Sequence, residues 1–209
     1  MDAEYCIKIV ERKETDSCLS KMGISRLNLT VCERVVNKPL RHDCLYYYAI
    51  IANDSDACGK LDGERGDECI FRIATAKMSE SLCAEIGNIQ KRNGCYENIA
   101  QLKGVPGLCE KISLNASLRD GCYYYFMQQK RSIEYCHKIS SRELKGECLS
   151  YMAQKNNNVT ICYTINSSSL AIDRCLYDFG VSHNNYTTCI NIEDLFLKRS
   201  CLAIVAGVT

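Results

Sequence analysis

Apolar side chains return along this chain on a fixed plan. A cysteine is followed three residues later by an aliphatic side chain, at Ile9, Val35, Leu61, Ile86, Ile112, Ile139, Ile165 and Ile192, which predicts a short helix with both on one face. A second cysteine comes next. One place after it stands Leu19, Leu45, Ile70, Tyr96, Tyr123, Leu149, Leu176 or Leu202, and four places after it Met22, Tyr48, Ile73, Ile99, Phe126, Met152, Phe179 or Val205. Cysteine, plus one and plus four form the stripe of a second helix. The next position is small at Gly23, Ala49, Ala74, Ala100, Ala153, Gly180 and Ala206, with Met127 the exception, so a neighbouring helix is expected to approach closely there.

Polar residues punctuate this pattern. Four places before each first cysteine stands Asp2, Asn28, Asp54, Ser79, Ser132, Asn158 or Asn185, side chains that accept hydrogen bonds from the free amides of a first helical turn. The fifth unit has Val105 there, followed by Pro106, and proline suits the first helical position. Pro39, Gly63, Gly87, Asn115, Ser140 and Ser167 interrupt the pattern where the first helix should end. A first helix of about eight residues and a second of about twelve are expected, both too short to stand alone.

The sixteen cysteines, Cys6, Cys18, Cys32, Cys44, Cys58, Cys69, Cys83, Cys95, Cys109, Cys122, Cys136, Cys148, Cys162, Cys175, Cys189 and Cys201, alternate between gaps of 11 to 13 residues and a constant 14. The period of 25 to 27 residues gives eight units, approximately 2–27, 28–53, 54–78, 79–104, 105–131, 132–157, 158–184 and 185–209. Self-similarity at that period is the signature of a solenoid. The expected fold is therefore all-α, a single array of eight disulfide-stapled helical hairpins. Both cysteine gaps centre on a turn, so two pairings are open: within each hairpin, in chain order, or each second cysteine with the next unit's first. Pairing within the hairpin is favoured, because each copy then carries its own staple and no terminal cysteine is left over. Closing a loop of that size contributes about 3 kcal/mol by the chain-entropy account.

This plan of stapled antiparallel helix pairs resembles the Sel1-like and tetratricopeptide class of repeats, particularly the secreted cysteine-rich forms in which one disulfide clasps each pair. The likeness covers the whole chain and is architectural, because the period here is shorter and no binding residue of those families is carried over.

Composition narrows the role. Sixteen cysteines in 209 residues imply an oxidising compartment, the cytosol of hyperthermophiles being the exception. Six acceptor sequons, at Asn28, Asn53, Asn115, Asn158, Asn166 and Asn185, point to the secretory route and to N-glycans, although Asn28, Asn158 and Asn185 also hold cap positions. With 26 basic and 25 acidic residues dispersed along the chain, no footprint for nucleic acid or an anionic membrane arises. No signal peptide precedes the first unit and no apolar run is long enough to span a bilayer, as expected of a numbering that begins after cleavage or of a segment of a longer protein.

Sites of chemistry are missing. No two cysteines stand closer than 11 residues, and His42, His137 and His183 occupy three different places in the repeat, so no metal, cofactor or catalytic residue is proposed. Tyrosines cluster in two places. Tyr46, Tyr47, Tyr124 and Tyr125 lie off the stripe and are candidates for contact with a neighbouring unit, another subunit or a sugar.

Solenoids ordinarily end in polar capping repeats. Here Ile7, Ile9, Val10 and Met22 in the first unit, and Ile190, Ile192, Leu202, Val205 and Ala206 in the last, look like those of an internal copy. They are the expected surfaces of a head-to-tail contact, which generates a fibre when it does not close a ring. The first reading is thus a non-enzymatic subunit of an extracellular fibre, a homopolymer with covalent N-glycans. The second is a discrete secreted solenoid that binds a protein or glycan.

Overall fold

The computed structural model describes residues 3–207. Among them every regular element is helical and no strand occurs. The order is α1 (Ala3–Ile7), α2 (Arg12–Ser25), α3 (Leu29–Glu33), α4 (Lys38–Ala52), α5 (Ser55–Cys58), α6 (Gly63–Lys77), α7 (Glu80–Glu85) and α8 (Ile89–Lys103). A 3₁₀ turn η1 (Pro106–Lys111) follows, then α9 (Ala116–Lys130), α10 (Glu134–Lys138), α11 (Arg142–Lys155), η2 (Val159–Thr164), α12 (Ser169–Ser182), α13 (Tyr186–Ile190) and α14 (Leu195–Val205). The chain forms two compact units, Met1–Ile112 and Ser113–Thr209. In the first, the long helices α2, α4, α6 and α8 lie side by side in chain order, with α3, α5 and α7 each touching the long helix before it and the one after. In the second, α9, α11, α12 and α14 do the same, with α10, η2 and α13 between them. This is a disulfide-stapled helical repeat.

No described cysteine is free. Cys6 is bonded to Cys18, Cys32 to Cys44, Cys58 to Cys69, Cys83 to Cys95, Cys136 to Cys148, Cys162 to Cys175 and Cys189 to Cys201, all within one hairpin. Cys109 and Cys122 are also disulfide-bonded.

The short helices are shorter than the spacing predicts, four to six residues rather than about eight, and most long ones exceed twelve. The reason lies in the aliphatic residue three places after the first cysteine. Its amide donates back to the cysteine carbonyl in all eight hairpins, as in Val35 to Cys32 at 3.2 Å and Ile192 to Cys189 at 3.3 Å, which closes the helix. At Ile86, Ile112, Ile139 and Ile165 the backbone is already extended, and the side chain drops into the core from just beyond the helix end. The expected shared helical face is thus a helix end followed by an anchor. The long helix then begins at a residue seven places before the second cysteine, and Asn37, Asn88, Asn115, Ser141, Ser168 and Asp194 cap it there with their side chains. Asn115 therefore opens a helix, and Pro39 and Gly63 lie in its first turn, rather than marking the end of the preceding one.

Long helices end alike. A residue nine places after the second cysteine takes the left-handed conformation: Leu27, Asn53, Met78, Gly104, Arg131, Asn157 and Asn184, with φ between 48° and 67°. The amide of the next residue then bonds to the carbonyl of the small residue, for example Asn28 to Gly23 at 2.9 Å and Asn185 to Gly180 at 2.7 Å. This is the six-to-one bond of a Schellman ending. In the fifth hairpin, where Met127 replaces the small residue, Arg131 bonds to Met127 at 2.8 Å instead, the simpler five-to-one form. The caps before the short helices hold at Asn28, Asp54, Asn158 and Asn185. Ser79 sits at the cap position without a capping bond, and Ser132 lies one residue ahead of it. Asp2 lies outside the described residues.

Candidate functional site

The joints between hairpins hold the chemistry of this fold. At the small position, what approaches is the next hairpin's disulfide: a methyl group added to Gly23 would stand 2.6 Å from Cys32 Sγ and 2.9 Å from Cys44 Sγ. Gly180 meets Cys189 Sγ and Cys201 Sγ at 2.9 Å each. The staple of one hairpin is therefore packed by the long helix of the previous one.

A second contact recurs along the chain. Two residues before the second cysteine, hairpins 1, 3, 5 and 7 carry Asp16, Asp67, Asp120 and Asp173. Each carboxylate accepts two backbone amides from the turn that opens the next long helix. Asp16 takes Val36 and Asn37 at 2.9 Å each, Asp67 takes Gly87 and Asn88 at 2.7 and 2.8 Å, and Asp173 takes Glu193 and Asp194 at 2.9 and 2.8 Å. Asp120 takes Ser140 and Ser141 at 2.9 and 2.8 Å, and the Ser140 hydroxyl as well. Such amides belong to a helix start and have no partner within it, and an anion there complements the helix dipole. Asp16, Asp120 and Asp173 are buried, so these charge-assisted bonds are what makes their burial tolerable.

Hairpins 2, 4, 6 and 8 place His42, Asn93, Gly146 and Arg199 at the equivalent position. Side chains of α4 and α6 supply ion pairs in place of the clamp: Lys38 with Asp62 at 2.6 Å, His42 with Asp62 at 3.8 Å, and Arg65 with Asp43. Between α11 and α12, glycine supplies nothing. A groove of about 750 Å³ runs there, lined among others by Arg142, Glu147, Tyr151, Ser167, Arg174 and Asp178. The hydroxyl oxygens of Ser150 and Ser167 are buried and have no hydrogen-bond partner. Loss of water around the Asp178 carboxyl raises its pKa, offset in part by Arg174, although the residue as a whole is exposed.

The predicted end surfaces separate. Ile192 is buried, 1% exposed, and offers no surface to a second copy; Ile9 and Met22 are half-buried, Met22 sulfur lying 4.0 Å from Cys6 Sγ. Ile7, Val10 and Ile190 are exposed, and so are Leu195 and Phe196, which the stripe did not single out. Leu202, Val205 and Ala206 are all more exposed than their counterparts Leu176, Phe179 and Gly180, which α14 and its disulfide help to cover.

The tyrosines divide between the two compact units. Tyr46 and Tyr47 meet edge to face at 5.5 Å, Arg65 stacks 5.3 Å from the Tyr46 ring, and Tyr47 is exposed. Tyr124 and Tyr125 are half-buried. The Tyr124 pKa is raised by burial and then by Glu147 and Tyr151, which sets it beside the groove residues, and Tyr125 packs on Phe126. His183 stacks on Phe179 at 4.2 Å.

Four sequon asparagines work as caps through their amide oxygen: Asn28, Asn115, Asn158 and Asn185. Asn53 holds the left-handed position and Asn166 is exposed. Among the described residues no group of three His, Cys, Asp or Glu side chains could hold a metal ion, and no helix is long and apolar enough to cross a membrane. Comparison with family models, with curated proteins and with solved structures gives no match. What stands is the helical repeat with its regular disulfides; no family is assigned.

Proposed function

We propose that this chain is a non-catalytic structural subunit of an extracellular, N-glycosylated fibre, in which the eighth hairpin of one copy receives the first hairpin of the next. The observation that carries this reading is the stripe at Leu202, Val205 and Ala206, half-buried to exposed where hairpin 7 buries its Leu176, Phe179 and Gly180. An apolar surface built to receive a hairpin is satisfied by a hairpin of a second copy.

Two features support that partner. Hairpin 8, like hairpin 2, carries no aspartate two places before its second cysteine, so a joint from hairpin 8 to hairpin 1 can be ion-paired like that from hairpin 2 to hairpin 3. There, His42, two places before its cysteine, faces Asp62, seven places before the next second cysteine. The same two places in hairpins 8 and 1 hold Arg199 and Glu11, both exposed, and Glu11 makes no capping bond of its own. Leu195 and Phe196 would then stand opposite Val10, giving that contact an apolar centre. Numerous intrachain disulfides fit an oxidising, extracellular setting for such a fibre.

Charge exchange tests this directly. Arg199→Glu is expected to leave the disulfide-bonded monomer folded and to abolish concentration-dependent assembly in sedimentation. Adding Glu11→Arg to the same chain is expected to restore it. Assembly unchanged by Arg199→Glu would overturn the proposed joint.

A further inference from the structure

We infer that the groove between α11 and α12 is a binding site for a neutral saccharide. This goes beyond the fibre reading and does not depend on it. The groove exists because the clamp position of hairpin 6 is Gly146. A methyl group there would meet Ser167 Oγ at 3.6 Å and Ile165 Cγ2 at 3.7 Å, ordinary contact distances, so the glycine leaves room for a methyl group beside the next turn.

Two buried hydroxyls without partners, Ser150 and Ser167, lie at this joint. Buried polar atoms are nearly always paired, and an orphaned pair in one place points to a ligand that completes them. Both serines are only half-buried as residues, so rotation about χ1 swings either oxygen toward the groove.

The remaining lining selects the chemistry. Arg142 and Arg174 stand among Glu143, Glu147 and Asp178. A polyanion would meet the carboxylates and a polycation the guanidinium groups, whereas a neutral polyol donates to the first and accepts from the second. Tyr151 adds an aromatic face for the apolar side of a pyranose ring. Asn166, the exposed acceptor of a sequon, immediately precedes Ser167, so the sugar can be the chain's own glycan or an external polysaccharide.

The test uses the full, oxidised chain made without glycans, titrated with chitobiose, mannobiose and cellobiose while backbone amide resonances are followed. Saturable shifts are expected at Tyr151, Ser167 and Ser168 with at least one of the three. Gly146→Asp should install the missing clamp on the Ser167 and Ser168 amides, raise the melting temperature and weaken binding about tenfold or more. The double variant Ser150→Ala, Ser167→Ala, which only removes oxygen atoms, should weaken binding without unfolding the chain. Glycosylated chain and its Asn166→Gln variant separate the sources: free sugar excluded by the first and bound by the second identifies the chain's own glycan, and equal binding identifies an external one. Absence of groove shifts with all three sugars, together with groove amides that do not respond to the Asn166 glycan, would overturn the site, as would equal binding by wild type and both groove variants.

Discussion

The joint between hairpins 5 and 6 and the joint between hairpins 6 and 7 share the same repeat and differ at one position. At the first, Asp120 is buried and accepts two amides and a hydroxyl from the turn of hairpin 6. At the second, Gly146 accepts nothing, and a groove with two unpartnered hydroxyls takes the place of the clamp. One residue in the repeat therefore decides whether neighbouring hairpins are locked together or leave room for something else. The disulfide thus sets the fold of each hairpin, and the residue two places before its second cysteine sets the coupling to the next.

Removing the clamp should break the comparison most strongly. Asp120→Ala strands two amides and the Ser140 hydroxyl at the closed joint, and is expected to cost about 4 kcal/mol. Chemical denaturation without reductant measures this; a loss below about 1 kcal/mol would show that the carboxylate is dispensable. A smaller effect separates glycines that touch a staple from those that do not. Gly180→Ala forces a methyl group to within 2.9 Å of both sulfurs of the last disulfide, and overpacking there is expected to cost about 2 kcal/mol. Gly121→Ala, in α9 with nothing within 4 Å, should instead stabilise by about 0.8 kcal/mol. Equal midpoints for the two variants would contradict the packing of helix on disulfide.

Helices, their stripe and the close approach at the small position were legible in the sequence, because each recurs at a fixed distance from a cysteine. The packing partner was not, since nothing in a run of small residues says that sulfur will face them. The clamp was legible in principle: Asp16, Asp67, Asp120 and Asp173 stand at one place in alternate units. A search for residues that recur in every unit passes over one that only four of the eight carry. Long-helix caps seven places before the second cysteine were obscured because the cysteine gap varies from 11 to 13 residues, all of the variation lying between the first cysteine and that cap. Left-handed residues were hidden for a different reason. Only Gly104, which has no Cβ, and three asparagines favour the conformation by residue type, and Leu27, Met78 and Arg131 take it because the Schellman or αL ending and the packed helices around it impose it. Ile192 was misplaced at the end surface because its spacing is that of every anchor residue, and the anchors are buried in every hairpin but the first.

Assembly is the claim on which the functional account stands, and electron microscopy of the native, unreduced protein at high and low concentration tests it most directly, with Val205→Lys beside it. The account predicts filaments at high concentration that dissociate on dilution, and only single folded chains for the variant. Single chains of wild type at every concentration, or filaments indifferent to a lysine at position 205, would contradict it.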